Sequence, residues 1–111
     1  MIERAPGQLA ATFRRPPPSF GPVPAWWWSA ERLANDRLEW QLRQFRSAGP
    51  SEVMICSFGY RQPVGGFPPD DPPFFSEEWW SCFRHVASVA DELGMRLWFW
   101  DHLGTFGDPT P

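Results

Sequence analysis

The chain has no lysine: all ten of its basic residues are arginines, scattered along the sequence with Arg14–Arg15 the adjacent pair among those flanking the proline runs. With 13 acidic residues the formal net charge is −3, which argues against a nucleic-acid partner or an anionic membrane surface. Cysteine is sparse. Cys56 and Cys82 could form at most one bridge, stand in no CxxC pattern, and have no histidine spacing that fits a zinc site, so two free thiols are expected. Apolar runs are short: nothing could span a bilayer, and the first fifteen residues have no core for a signal peptide, which points to a cytoplasmic address. Neither a metal nor a cofactor is called for by any motif.

What the chain does have is aromatic residues and proline. Eight tryptophans and ten phenylalanines sit among 14 prolines that cluster at Pro16–Pro18, Pro22–Pro24 and Pro68–Pro73. At 111 residues there is room for one small domain. Residues 1–22, ending in "RRPPPSFGP", have no sustained period and read as an irregular lead-in, partly polyproline II. The apolar run of residues 23–28, with Trp26, Trp27 and Trp28 in succession, reads as a strand whose Pro24 lies near its start.

A helix is expected over 35–48, because Leu38, Leu42 and Phe45 form a stripe at i, i+4, i+7. Asn35 is the expected cap, and Gly49–Pro50 the stop. "EVMICSF", residues 52–58, is a continuous apolar strand. A second helix is expected over 76–93, capped by Ser76, with Glu77 and Glu78 in its first turn and Gly94 at its end. Its apolar face is Trp79, Phe83, Val86, Ala90 and Leu93. "RLWFWD", residues 96–101, is a third strand, and 105–111 form a tail. The order strand–helix–strand–helix–strand is that of an α/β chain: a βαβαβ unit with parallel strands and right-handed crossovers. Parallel strands covered on both faces can be apolar at every position, which would house Trp26 and Trp28 on one side and Trp27 on the other.

Ligands of parallel α/β folds bind beyond the carboxyl ends of the strands. Trp28, Tyr60, Arg61, Asp101 and His102 fall there and are the candidate binding residues; no catalytic residue is assigned. Trp28 has two readings, a core side chain or a platform on which the apolar face of a sugar stacks beside the Asp101 carboxylate. The loop "GYRQPVGGFPPDDPPFF" is longer than the ~12–15 residues at which unstructured loops become notable, with Gly65–Gly66 and its prolines able to fix its course. Asp70 and Asp71 read as a solvated turn rather than an acid/base pair. His85 reads as an ordinary helix residue. There is no Ser-His-Asp order, phosphate loop or metal cluster.

The segments "PVPAWWWS", "FSEEW", "ELGM" and "RLWFWD" with Gly104 resemble the opening of the barrel of α-L-rhamnosidase-like glycoside hydrolases, over about residues 16 to 104. The resemblance implies an incomplete TIM-type barrel: residues 23–104 would supply the first three strands and two helices of a (β/α)8 fold. Carbohydrate would then be the partner, bound by the rim residues named above. The family's acid and base come from later strands, so the chain would lack the carboxylate pair, as an N-terminal piece of a larger enzyme. It departs from the pattern at Ser29, where the family has asparagine. Cys56 and Phe58 stand where histidine and arginine are common, with Arg61 able to reach a similar place, and His102–Leu103 replace an acidic pair. The alternative is a non-enzymatic α/β binding or dimerisation module. On either reading, the missing remainder of a barrel or a second copy could cover the open sheet.

Overall fold

The computed structural model describes residues 6–101. Its elements are helix α1 (Pro6–Arg14), a short 3-10 turn (Pro18–Phe20), β1 (Ala25–Trp27), α2 (Asn35–Ala48), β2 (Glu52–Cys56), α3 (Glu77–Leu93) and β3 (Arg96–Phe99). All three strands are parallel in the order β1-β2-β3. Trp26 stands opposite Ile55, and Ile55 opposite Phe99. The expected α/β unit with two crossovers is what forms.

Local chemistry explains the helix ends. Ser76 Oγ accepts the backbone N–H of Trp79 at 3.3 Å, and Gly94 closes α3 in the left-handed conformation, φ 66°. In α2 the capping position is Ala34, one residue earlier than expected, and no side chain caps it. Asp36 instead turns its carboxylate to the N–H of Arg37.

Three expectations are corrected. The lead-in is not wholly irregular, because α1 forms where Pro6 opens a run containing Ala10 and Ala11, good helix formers. The strands are shorter than the apolar runs that announce them. Pairing does persist past their ends, since Trp28 N–H donates to the Cys56 carbonyl at 2.8 Å and Trp100 N–H to that of Ile55 at 3.0 Å. Finally, the two sheet faces are unequal. Both α2 and α3 lie on the same side, as two successive crossovers of the usual right hand require, and there Trp26, Trp28, Val53 and Ile55 join Leu38, Leu42, Trp79, Val86, Val89 and Ala90 in one core. The register puts Trp27, Met54 and Trp98 on the second face, and there Trp27 is 41% and Trp98 50% exposed. Trp27 therefore lacks the full covering expected of it. The tail 105–111 lies outside the described residues.

Trp79 is the hub of the covered side. It is fully buried and its ring lies within 6 Å of those of Trp28, Phe74, Phe75, Trp80, Phe83 and Phe99. Outside this core the two helices are also joined by polar contacts: His85 Nε2 meets Glu39 Oε1 at 3.1 Å, and Arg43 reaches both Glu39 and Glu92. Glu39 is held below the usual carboxylate range by the Arg43 guanidinium first and His85 second, against the opposing effect of burial. Such partly exposed pairs are weak next to an indole in the core. Trp79→Ala is therefore expected to cost about 3–5 kcal/mol in denaturant unfolding, and His85→Ala little. Equal losses would show that the helix pair, not the aromatic hub, holds the core.

Candidate ligand-binding end of the sheet

At the carboxyl ends of β1 and β2 the chain is fastened by one buried carboxylate. Ser29 follows Trp28 and gives its hydroxyl proton to Asp70 Oδ1 at 2.8 Å, while the same hydroxyl oxygen accepts Phe58 N–H at 2.8 Å. The second oxygen, Asp70 Oδ2, accepts Gly59 N–H at 3.0 Å, and Asp70 N–H donates to the Tyr60 carbonyl at 2.9 Å. Both side chains are buried. Ala30, next in the chain, takes the left-handed conformation at φ 77°, turning the backbone sharply away from the strand.

Asp70 is thus not the solvated turn residue expected from its sequence neighbourhood. It draws the far arm of the long loop down onto the strand tips. Its neighbour Asp71 is exposed and pairs with Arg32 at 2.7 Å, and its carbonyl accepts Leu33 N–H. The near arm is turned by Gly65 and Gly66, both at positive φ, so that Val64 and Phe67 exchange backbone hydrogen bonds at 3.0 and 2.9 Å.

Folding the loop this way builds a strip of aromatic rings from the second sheet face up to the loop. Trp100 meets Trp27 at 5.8 Å between centroids, Trp27 meets Phe58 at 5.0 Å, and Phe58 meets both Tyr60 and Phe67 at 5.1 Å. Phe67, 45% exposed, is its outermost ring. Tyr60 stacks on Phe58 and is buried. Arg61 and Asp101 are exposed, Arg61 beside Tyr60 in the loop and Asp101 directly after Trp100. His102 lies outside the described residues.

Trp28 goes elsewhere. Only 2% exposed, it points to the helix side, with its ring among Trp26, Trp79 and Phe83. Of its two readings the core one describes its position. Trp27, Phe58 and Phe67 are more accessible than Trp28 at this end. Alternation along β1 carried the signal for Trp27, whereas nothing local marked Phe67 as meeting Phe58.

The electrostatics are modest. Burial pushes the Asp70 carboxyl up, opposed by its hydrogen bonds from Ser29 and Gly59. Burial likewise pushes the thiols of Cys56 and Cys82 up, and both cysteines are free. Among the described residues no group of three or more His, Cys, Asp or Glu could hold a metal ion, and no helix is long and apolar enough to cross a membrane. Ser57 Oγ is buried at the end of β2 with no hydrogen-bond partner.

This architecture, three parallel strands with crossover helices and loops gathered at one end, is a segment of barrel-like α/β fold. Among solved structures, that of a rhamnosidase from Novosphingobium sp. PP1Y shares it, with a TM-score of 0.62 and 23% sequence identity. The likeness covers 92% of this chain and 9% of that one, so the chain spans about a tenth of that protein's length. No family description matches the chain, and neither does any curated protein sequence.

Removing the Asp70 carboxylate leaves the Gly59 N–H and the Ser29 hydroxyl proton unpaired, so Asp70→Ala is expected to cost about 1–3 kcal/mol. Because the folded-state pKa of Asp70 is raised, the folded protein holds the proton more tightly than the unfolded chain. The carboxyl's contribution is therefore greatest below the ordinary aspartate pKa and falls as pH rises through the raised value. In urea melts the stability gap between wild type and Asp70→Ala should narrow as pH climbs out of the acid range; a widening gap contradicts the assignment. Ser57→Ala, which deletes an unpaired buried hydroxyl, should leave stability unchanged or raise it.

Proposed function

We propose that the chain is the opening βαβαβ section of a glycoside hydrolase barrel of the α-L-rhamnosidase-like kind, contributing carbohydrate-binding residues but no catalytic pair. The observation that carries this reading is the aromatic strip. Rings of Trp27, Phe58 and Phe67 run to the carboxyl end of a parallel sheet, the end at which such folds bind their ligands. Aromatic faces stack on the C–H faces of sugar rings, and exposed Arg61 and Asp101 supply hydrogen bonds for hydroxyl groups. The fold shared with a rhamnosidase supports the choice of chemistry.

The carboxylates at this end support the second half of the proposal. Glycosidic cleavage ordinarily uses two of them, about 5–9.5 Å apart across the scissile bond. Asp70 is committed to Ser29 and Gly59, and Asp71 to Arg32. Among the described residues, Asp101 is the exposed carboxylate that directly follows Trp100 of the strip. In this reading the acid and base arrive on further strands, and those strands also cover the face bearing Trp27 and Trp98.

The 111-residue chain should accordingly show no turnover of aryl α-L-rhamnosides, yet bind rhamnose-containing oligosaccharides with a change in tryptophan emission. Phe67→Ala should weaken that binding by up to about tenfold, the worth of one stacked ring. Robust turnover overturns the missing-pair reading. An emission spectrum indifferent to every sugar overturns the binding reading.

A further inference from the structure

Of the three strands, β1 and β3 form the edges of the sheet, and they are unlike. β1 is three residues long, with Pro22 and Pro24 just before it, and both features blunt an edge. β3 and the residue after it, "RLWFW", carry no proline and no lysine. The bonds of β3 to β2 fix which way its backbone groups point. Arg96 N–H donates to the Ser51 carbonyl and Trp100 N–H to that of Ile55, both at 3.0 Å. Successive residues of a strand turn their N–H and C=O to opposite sides, so those of Leu97 and Phe99 point outward. Among the described residues no backbone bond beyond the β2 ladder uses either of them. The side chains flanking this edge are half covered. On the second face Trp98 is 50% exposed, its Nε1–H held by the buried Glu52 at 2.9 Å. On the helix side Phe75 stacks on Trp80, and these two rings lie 5.7 and 6.1 Å from that of Phe99.

We propose that the chain pairs with a second copy of itself edge to edge, the two β3 strands running antiparallel about a two-fold axis at Trp98. Because the axis is perpendicular to the sheet, each side chain stays on its own face, and residues set opposite one another share parity. Centred on Trp98, the register puts Leu97 against Phe99 of the other copy on the helix side. On the second face it puts Trp98 against Trp98, and the exposed Arg96 against the Trp100 ring. The outward groups of Leu97 and Phe99 then close two hydrogen-bonded pairs, one on each side of the axis. Trp98 is the non-hydrogen-bonded pair between them, with Cα atoms about 4.5 Å apart, the spacing at which side chains meet most closely.

A second copy is the occupant because this edge complements itself. Every outward donor meets an outward acceptor, apolar side chains meet apolar ones, and the cation meets a ring. The neighbouring register, centred on Phe99, would set Leu97 against the Asp101 carboxylate and is the poorer one. The joined sheet has twice the three strands of one copy, a common width. This pairing goes beyond the carbohydrate reading and does not rest on it. A further barrel strand would claim the same edge, so the two-fold is a property of the 111-residue chain.

Light scattering of the full chain at about 100 μM should give twice the monomer mass. Trp98→Lys sets like charges directly opposite one another and should raise the dissociation constant about tenfold or more. Within one copy the new ammonium lies beside Glu52, so the circular dichroism should match wild type. Trp40→Lys, on the flank of α2 beside β1, should leave the dimer intact. In hydrogen exchange the Leu97 and Phe99 amides should open about tenfold more slowly in the wild-type dimer than in the Trp98→Lys chain. Mild oxidation of Trp98→Cys should give a disulfide-linked dimer, since the Cα spacing suits the bond, and wild type should give none. A monomeric wild type overturns the proposal, as does growth beyond two copies. So does a dimer in which the Leu97 and Phe99 amides stay unprotected, which would place the contact on the sheet face. If Trp98→Lys loses its helical signal, the cross-link decides, and its failure overturns the pairing.

Discussion

Handedness is the constraint from which the rest of this structure follows. Two successive right-handed crossovers between parallel strands leave their helices no choice of side. Both α2 and α3 therefore lie over Trp26, Trp28, Val53 and Ile55, and the ten or so apolar side chains they bring complete a core there. The second face receives no helix from this arrangement. It nevertheless carries Trp27, Met54 and Trp98, residues suited to a covered parallel strand rather than to a wet face. A sheet built to be apolar on both sides, with crossovers that cover one, is half of a closed or layered architecture. That is the physical content of its likeness to a segment of a far longer protein.

The helices were legible because each announced itself by several independent signals. In α3 the Ser76 cap, the acidic first turn, the stripe from Trp79 to Leu93 and the closing Gly94 all agree, and the element lies where they put it. The strands were legible as runs but not in length. Apolarity continues to Phe58 and Trp100 for reasons of ring packing, while the ladders stop earlier. Helix α1 escaped notice because nine residues holding one Leu–Phe pair, bracketed by prolines, give too little periodicity to count.

The site was legible only in outline. That the strand tips would matter follows from topology, and the long loop beyond β2 follows from its length. The residue that shapes the loop does not. Ser29 and Asp70 are 41 positions apart, and no local pattern says that a proline-flanked aspartate will be buried against the first strand's end. Trp28 shows the converse difficulty. Strand alternation put it opposite Trp27, yet nothing in three consecutive indoles tells which parity meets the helices; that is decided by Trp79 and Phe83, fifty residues on.

The Ser29–Asp70 contact also limits what this end of the sheet can do chemically. A raised carboxyl pKa in a cleft is often the mark of an acid catalyst. Here both carboxylate oxygens are engaged, one by a hydroxyl and one by a backbone N–H, and the side chain is turned inward. Its shift follows from burial, against the lowering effect of the hydrogen bonds from Ser29 and Gly59. What Asp70 does instead is hold the loop so that Phe67 reaches Phe58, which extends the ring strip past the sheet. A carboxylate that its sequence neighbours announce as a solvated turn residue is thereby the fastener of the aromatic strip. Any bond-breaking carried out over that surface must draw its acid and its base from side chains other than this one.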